Sequence, residues 1–194
     1  MLEFQIRPYY PDDKLQVVDI IHDELGHLFK DDEKFMEPTI SSLGNENVFV
    51  AFIGTNILGF ISYLPLEFGL GLENHYKKYW FTHSTGMTEL EFIKSHPEYS
   101  EPCMYVENLA VRLDAQRQGI ALALKERVII ESLTQGKKYL YSHSWSGGNS
   151  INLAKKMAAI PLGRVSEFYP NGESAVVMQI DVQGYEFRHP MFKS

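Results

Sequence analysis

The chain has 194 residues, of which 44% are hydrophobic and 22% charged, and its formal net charge is -7 at pH 7. This length suits one domain with its own core, and the acidic balance argues against non-specific nucleic-acid binding while it is compatible with a cationic amine substrate. The single cysteine, Cys103, excludes an intrachain disulfide and a multi-thiolate metal site, so we predict no metal centre. Because the sequence has neither a signal-peptide pattern nor an apolar run of membrane-spanning length, we expect a cytoplasmic protein with no membrane partner.

The N-terminal third predicts two helices and three strands. Alternation over residues 3–9 predicts the first strand. A helix begins at Pro11-Asp12-Asp13, with acidic residues in its first turn. A shorter helix is predicted over residues 35–43, and residues 48–63 predict a β-hairpin that turns at Gly54-Thr55-Asn56. The buried face of the first helix is predicted to consist of Leu15, Val18, Ile21, Leu25 and Leu28.

The segment from Pro65 to Pro102 is rich in aromatic residues and predicts two short helices, over residues 73–81 and 89–94. In a compact domain a connection of this length is commonly a lid or a binding loop. We therefore expect this insertion, around residues 65–102, either to cover part of a substrate pocket or to form a packing surface, including one for a homodimer.

The central feature of the sequence is a strand, a turn and a helix between Met104 and Gly136. The strand part is supported by Tyr105, Val106, Leu109 and Val111, which favour a buried strand. From Ile120 onwards, helical spacing predicts one apolar side and one charged side, and Gly136 sits where a helix ends. The apolar side is Ala121, Leu124 and Val128, with Leu122, Ile129 and Leu133 beside them; the charged side is Lys125, Glu126, Arg127 and Glu131.

The turn before this helix has the features of an anion-binding site. Several N–H groups of the first helical turn lack intrahelical partners, Gly119 and Ala121 allow a close approach, and Arg117 adds a positive charge. The turn has neither the Gly-Lys-Ser/Thr of a Walker loop nor the glycine spacing of a dinucleotide fingerprint. It either holds a pyrophosphate or is a helix N-terminus whose small residue allows close packing.

The run Leu109-Ala110-Val111, followed by Asp114, Gln116, Gly119 and Ala121, resembles motif A of the GNAT superfamily of acyl-CoA-dependent N-acetyltransferases. The resemblance implies that the backbone amides of about Gln118 to Leu122 hold the CoA pyrophosphate, and that the main chain of the preceding strand pairs with pantetheine. Residues 149–157 resemble motif B, in which an Asn opens a helix beside the pantetheine arm; a plain N-cap predicts the same residue. The implied CoA-binding residues are Leu109, Ala110, Val111, Gln116, Arg117, Gln118, Gly119, Ile120, Ala121, Leu122 and Asn149.

The remaining chain predicts a strand over residues 138–144, the helix over 149–157, and strands over 162–168 and 175–182. Many members of the resembled family carry a Tyr on this helix as general acid for the CoA thiolate, and this helix has none. Either another hydroxyl serves or the thiolate leaves without a dedicated donor. The candidate hydroxyls are those of Tyr141, Ser144 and Tyr169.

Glu107 is the candidate general base. Strand alternation puts it on the same face as Leu109 and Val111, near where the family's thioester lies. Glutamate is a poor filler for a central strand, since a buried carboxylate is costly unless it is hydrogen-bonded or functional. The alternative is a glutamate that faces solvent or an arginine partner such as Arg112.

The sequence therefore predicts one α/β domain over residues 1–194 of GNAT type, with a mixed, twisted central sheet and helices on both faces. The resemblance implies transfer of an acetyl (acyl) group from acetyl-CoA to an amine of a small molecule or peptide by direct attack on the thioester. One alternative is a catalytically silent acyl-CoA-binding sensor or assembly module of the same fold, which the missing helix Tyr favours. Another, a nucleotide-binding protein of a different fold, has no Walker lysine to support it. The acceptor, the acyl chain length and the oligomeric state stay open.

Overall fold

The computed structural model describes residues 2–29, 37, 40, 43, 47–66 and 102–193. Seven strands lie in these ranges: β1 (Gln5–Pro8), β2 (Val48–Ile53), β3 (Asn56–Leu66), β4 (Cys103–Val111), β5 (Tyr139–Trp145), β6 (Ile160–Val165) and β7 (Ala175–Asp181). Three α-helices lie in the same ranges: α1 (Lys14–Leu25), α2 (Ile120–Thr134) and α3 (Ser150–Lys156). The helices predicted over residues 73–81 and 89–94 lie outside the described residues, as does most of the one predicted over 35–43.

The strands form one sheet in the order β1-β2-β3-β4-β5-β7-β6. Neighbouring strands run antiparallel in the pairs β1/β2, β2/β3, β5/β7 and β6/β7. By contrast, β4 and β5 are neighbours joined through α2, the kind of connection that parallel strands need. The predicted hairpin is confirmed and turns at Gly54, where a positive φ of 57° suits a residue without a Cβ atom.

By its contacts the chain divides into two compact units. The first comprises Met1–Tyr63, Val106–Val128 and Phe187–Ser194. The second comprises Leu64–Tyr105 and Ile129–Glu186. The single domain over residues 1–194 stays a prediction.

In the first unit, α1 and α2 pack against opposite faces of the strands. Phe49 lies between Val48 and Val50 in β2, so its side chain points to the opposite face from theirs. The guanidinium of Arg127 in α2 lies 4.6 Å from the Phe49 ring centroid. On the α1 side, the buried core cluster consists of Val17, Ile20, Ile21, Leu43, Val48, Val50, Ile57, Phe60 and Ala110. The prediction of helices on both faces is confirmed by this arrangement.

In the second unit, β7 pairs with β5 on one edge and with β6 on the other. The loop that leaves β5 is closed by the indole ring of Trp145, which packs on the main chain of Gly147 and Gly148. A Cβ atom on Gly148 would overlap this ring, so glycine is required there. The loop leads directly into α3.

The predicted buried face of α1 is wrong at Leu15, which is 79% exposed, whereas Val17 is fully buried. The reason lies just before the helix. Asp13 is held inward by two hydrogen bonds from the Arg7 guanidinium, of 2.6 and 2.8 Å. Residues four apart share a helix face, so the position of Asp13 turns Val17 inward and Leu15 outward.

The predicted charged side of α2 is also wrong in part. Lys125 and Glu126 are 3% and 0% exposed, while Leu133, predicted on the apolar side, is 43% exposed. Glu126 is buried because the C-terminal chain covers this side of the helix and donates the main-chain N–H groups of Arg188 and His189 to its carboxylate. The charge pattern of α2 alone does not contain this information.

Candidate functional site

The turn between β4 and α2 has an unusual main-chain conformation. Arg117 and Gly119 both have positive φ, of 61° and 89°, and a non-glycine residue seldom adopts such a value. The first hydrogen bond of α2 runs from the Ala123 N–H to the Gly119 carbonyl, at 3.0 Å. The N–H groups of residues 119–122 precede it and have no partner within the helix. With the exposed Arg117 beside them, these groups form the positive end of a 15-residue helix and suit an anion.

Gln116 fixes the beginning of this turn. Its side-chain amide donates to the Val111 carbonyl at 3.0 Å and to the Glu24 carboxylate at 2.9 Å. The turn is thereby connected both to the end of β4 and to α1. The resemblance implied CoA binding by Gln116, and in the structure its amide N–H groups are engaged in positioning the turn.

The other implied CoA-binding residues of this stretch differ in what they expose. Ile120 and Leu122 are 1% and 5% exposed, so their side chains are not available to contact a ligand. Gln118 is exposed and accepts a long hydrogen bond of 3.4 Å from the Leu2 N–H. Ala121 is half-buried and presents only a methyl group.

The end of β4 is held closely against β3. The Arg112 N–H donates to the Leu58 carbonyl at 2.9 Å, and a Cβ atom on Gly59 would come within 2.7 Å of the Ala110 carbonyl oxygen. Ala110 and Val111 are buried, and Leu109 is half-buried. The edge of β4 that faces β3 is thus occupied, and a ligand that pairs with residues 109–111 would need the other edge.

Glu107 lies in the middle of β4 and is half-buried. The next residue, Asn108, points the other way and donates to the Ser62 hydroxyl at 3.1 Å. Arg112, the alternative partner considered for Glu107, is bound to Asp114 instead, with hydrogen bonds of 3.1 and 2.6 Å. The strand β4, which carries Glu107, leads into the anion-binding turn.

The three candidate hydroxyls have different surroundings in the second unit. Tyr141 is 1% exposed, and its oxygen accepts a hydrogen bond of 2.7 Å from the Gln179 amide. Ser144 is also 1% exposed, and its hydroxyl has no hydrogen-bond partner among the described residues. Tyr169 is half-buried, and burial raises the pKa of its phenol above the usual value. Asn149 is exposed at the N-cap of α3, where its side chain makes no capping hydrogen bond.

The match to a family model decides what kind of protein has this arrangement. A model described as the acetyltransferase (GNAT) family matches residues 14–158, which include the strand, the turn and the helix described above. The chain belongs to the GNAT acetyltransferase family. The resemblance inferred from Leu109 to Ala121 is confirmed, and with it the predicted GNAT fold and the prediction of an acetyltransferase.

Solved GNAT structures show the same fold. An agmatine N-acetyltransferase mutant aligns with a TM-score of 0.69 at 14% identity, over 93% of this chain and 100% of that one. A polyamine N-acetyltransferase of Drosophila melanogaster aligns with a TM-score of 0.68 at 12% identity, over 92% and 100%. Arylalkylamine N-acetyltransferase 2 of Aedes aegypti gives 0.65 at 12%, over 93% and 100%. A comparison with curated proteins found no match.

The sequence analysis missed an aromatic cluster around His143 of β5. The ring Nδ1 lies 2.8 Å from the Tyr105 hydroxyl, and the ring stacks on Phe168 with a centroid distance of 4.3 Å. Burial lowers the pKa of His143 to about 3, so the ring is neutral at neutral pH. Neither of the two motif resemblances includes this position. Its one signal in the sequence is a polar residue on a strand that is otherwise largely buried.

Cys103 is free and buried, and burial raises the pKa of its thiol to about 12. A thiol that stays protonated is a poor nucleophile, so its surroundings are those of a packing residue. Within residues 2–29, 47–66 and 102–193, no three His, Cys, Asp or Glu side chains converge in a way that would hold a metal ion. The helices of this described part are all too short or too polar to cross a membrane.

Proposed function

We propose that this GNAT protein transfers an acetyl group from acetyl-CoA to a small primary amine. The observation that carries the proposal is the turn before α2: four N–H groups without helix partners, a positive φ at Gly119 and an exposed Arg117. These are the donors that a pyrophosphate needs. The cytoplasmic location expected from the sequence is part of the same proposal.

In this proposal the turn binds the CoA ester through its main chain. The N–H groups of Gly119, Ile120, Ala121 and Leu122 donate to the pyrophosphate oxygens, and Arg117 adds charge. Leu109, Ala110 and Val111 pair through their main chain with the pantetheine arm on the side of β4 away from β3, and Asn149 adds an amide contact from the start of α3. When bound, the CoA ester supplies an activated acyl carbon.

Glu107 acts as the general base. A primary amine is almost wholly protonated at neutral pH, and only its neutral form is a nucleophile. Glu107 accepts the proton, directly or through one water molecule, as the amine nitrogen forms its bond to the acyl carbon and the carbon–sulfur bond breaks. Its half-buried position in β4 supports this role.

The departing thiolate needs a proton, and β5 offers two donors. Ser144 is the stronger candidate because its buried hydroxyl has no hydrogen-bond partner in the described part of the chain. Tyr141 is the second, with its oxygen already accepting from Gln179. The variants Ser144→Ala and Tyr141→Phe separate the two candidates. Replacing the residue that donates the proton lowers kcat, whereas replacing the other residue changes kcat by no more than about twofold.

A panel of amines tests the proposal. Solved structures with this fold are named after agmatine, polyamines and arylalkylamines, and the chain's charge of -7 also suits a cationic acceptor. The assay measures free thiol released from acetyl-CoA with each amine, together with CoA affinity by calorimetry. Amine-dependent thiol release supports the enzyme. Tight CoA binding without turnover on any amine or peptide N-terminus would favour the silent module, and absence of CoA binding would refute both.

A further inference from the structure

The C-terminal segment, Phe187–Phe192, is fastened to α2 through one buried carboxylate. Glu126 is fully buried, and its two oxygens accept the main-chain N–H groups of Arg188 at 2.7 Å and of His189 at 3.0 Å. A carboxylate without water is stable only when it is well hydrogen-bonded. Glu126 lies on the second turn of α2, close to the anion-binding turn, so it fixes the end of the chain there.

The ring of His189 is held in one orientation by its own turn. Its Nδ1 accepts the Met191 N–H at 3.2 Å, which leaves the proton of the neutral ring on Nε2. His189 is 5% exposed, and its ring lies 5.6 Å from that of Phe4 and 6.3 Å from that of Phe192, measured between centroids. The ring therefore has a fixed orientation and packs between Phe4, near the start of the chain, and Phe192, near its end.

The His189 ring also packs against Gly119. A Cβ atom built on Gly119 would lie 3.1 Å from His189 Nε2 and 3.2 Å from its Cδ2, closer than nine in ten real contacts of a Cβ atom. The ring thus occupies the side of Gly119 where another residue would carry its side chain. The N–H groups of the turn are left to face a ligand, while the α-carbon is supported from behind.

We propose that Glu126 and His189 are positioning residues, which hold the turn at Gly119 in the conformation that binds the pyrophosphate. The inference rests on the proposed function, because it takes the turn to be the CoA site. His189 reaches no substrate in this proposal and acts through Gly119, and Glu126 acts through His189. Without this support, the backbone at Gly119 can leave its positive-φ conformation for other allowed conformations. The N–H groups of the turn then no longer converge on one point.

Two acyl donors separate this role from a general structural one. Acetyl-CoA carries the pyrophosphate, whereas S-acetylpantetheine ends before it. We measure kcat/KM for both donors in the wild type, His189→Asn and Glu126→Gln. Asparagine at position 189 retains an acceptor for the Met191 N–H but leaves a gap beside Gly119. Glutamine at position 126 retains one acceptor oxygen, but its NH₂ group faces one of the two main-chain N–H groups that the carboxylate accepted. Glu131→Gln on the same helix, whose carboxylate contacts Gln135, is the matched control.

The expected result is a fall of about tenfold in the ratio of kcat/KM for acetyl-CoA over S-acetylpantetheine in both variants, the scale of one lost hydrogen bond to a charged group. Circular dichroism and Tm of each variant show that it is folded. An unchanged ratio in folded His189→Asn and Glu126→Gln overturns the positioning role and leaves the proposed function intact. The same fall in Glu131→Gln also overturns it. A wild type that binds no CoA removes the proposed function and this inference together.

Discussion

Lys125 lies in the interior of α2, and its charge should make the protein less stable at neutral pH than at alkaline pH. The side chain is 3% exposed, and burial lowers the pKa of its ammonium group from 10.5 to about 8. The folded-state pKa is below the unfolded one, so between pH 8 and 10.5 the unfolded chain binds more protons than the folded chain. Stability therefore rises as pH rises through this window.

The magnitude follows from the two pKa values. With Lys125 protonated in both states, burial of the charge costs about 3 kcal/mol of folding free energy, at 1.36 kcal/mol for each tenfold change in the proton equilibrium. At pH 9 the folded protein has mostly lost this proton, and the cost falls to about 2 kcal/mol. The wild type thus gains about 1 kcal/mol from this one residue between pH 6.5 and pH 9.

Lys125→Met removes the charge but retains the volume. We expect the variant to be more stable than the wild type at pH 6.5, by up to about 3 kcal/mol less the contacts that the ammonium makes. The advantage should shrink by about 1 kcal/mol at pH 9. Urea denaturation followed by circular dichroism at both pH values measures it, and Lys14→Met, an exposed lysine on α1, is the control. A difference between Lys125→Met and the wild type that is the same at pH 6.5 and 9 would refute the reasoning.

Three further changes have defined outcomes. Glu107→Gln should retain acetyl-CoA affinity by calorimetry while kcat falls by roughly 10²-fold, with the deficit shrinking at high pH as the amine deprotonates unaided; a wild-type kcat at neutral pH would exclude Glu107 as the base. Asp13→Asn should lower the unfolding free energy by about 1–3 kcal/mol at pH 7. Hydrogen bonds from Arg7 lower the pKa of Asp13, so the wild type loses this stability as the pH falls through the folded-state pKa. The difference in unfolding free energy between wild type and variant should therefore disappear in acid. Gly148→Ala should lower the unfolding free energy by about 1–3 kcal/mol, because the new methyl group displaces the Trp145 ring. Gly163→Ala should cost less, because a Cβ atom there meets nothing within 4 Å. Equal losses of unfolding free energy in the two variants would contradict the packing argument.

The sequence by itself determined the family and the elements that carry its motif. The strand, turn and helix from Met104 to Thr134 follow from local rules: strand-favouring residues, a glycine where φ is positive, and apolar residues at helical spacing. The hairpin at Gly54 follows in the same way. Such signals are readable because each one depends on residues within a few positions of each other.

The tertiary structure alone decided which side chains these elements bury and what the motif residues contact. Glu126 has the same place in the helical pattern whether or not a chain end covers it, and it is buried because the main chain of Arg188 and His189, more than 60 residues away, supplies the N–H groups. Gln116 positions the turn because Glu24 of α1 lies within 2.9 Å of it, 92 residues away along the chain. Glycine is needed at position 119 for two reasons. The turn pattern in the sequence indicates the first, a positive φ. It does not indicate the second, which is that the His189 ring occupies the space of a side chain there. Backbone conformation depends largely on near neighbours in the chain, whereas burial and hydrogen-bond partners depend on which distant segments the fold brings together.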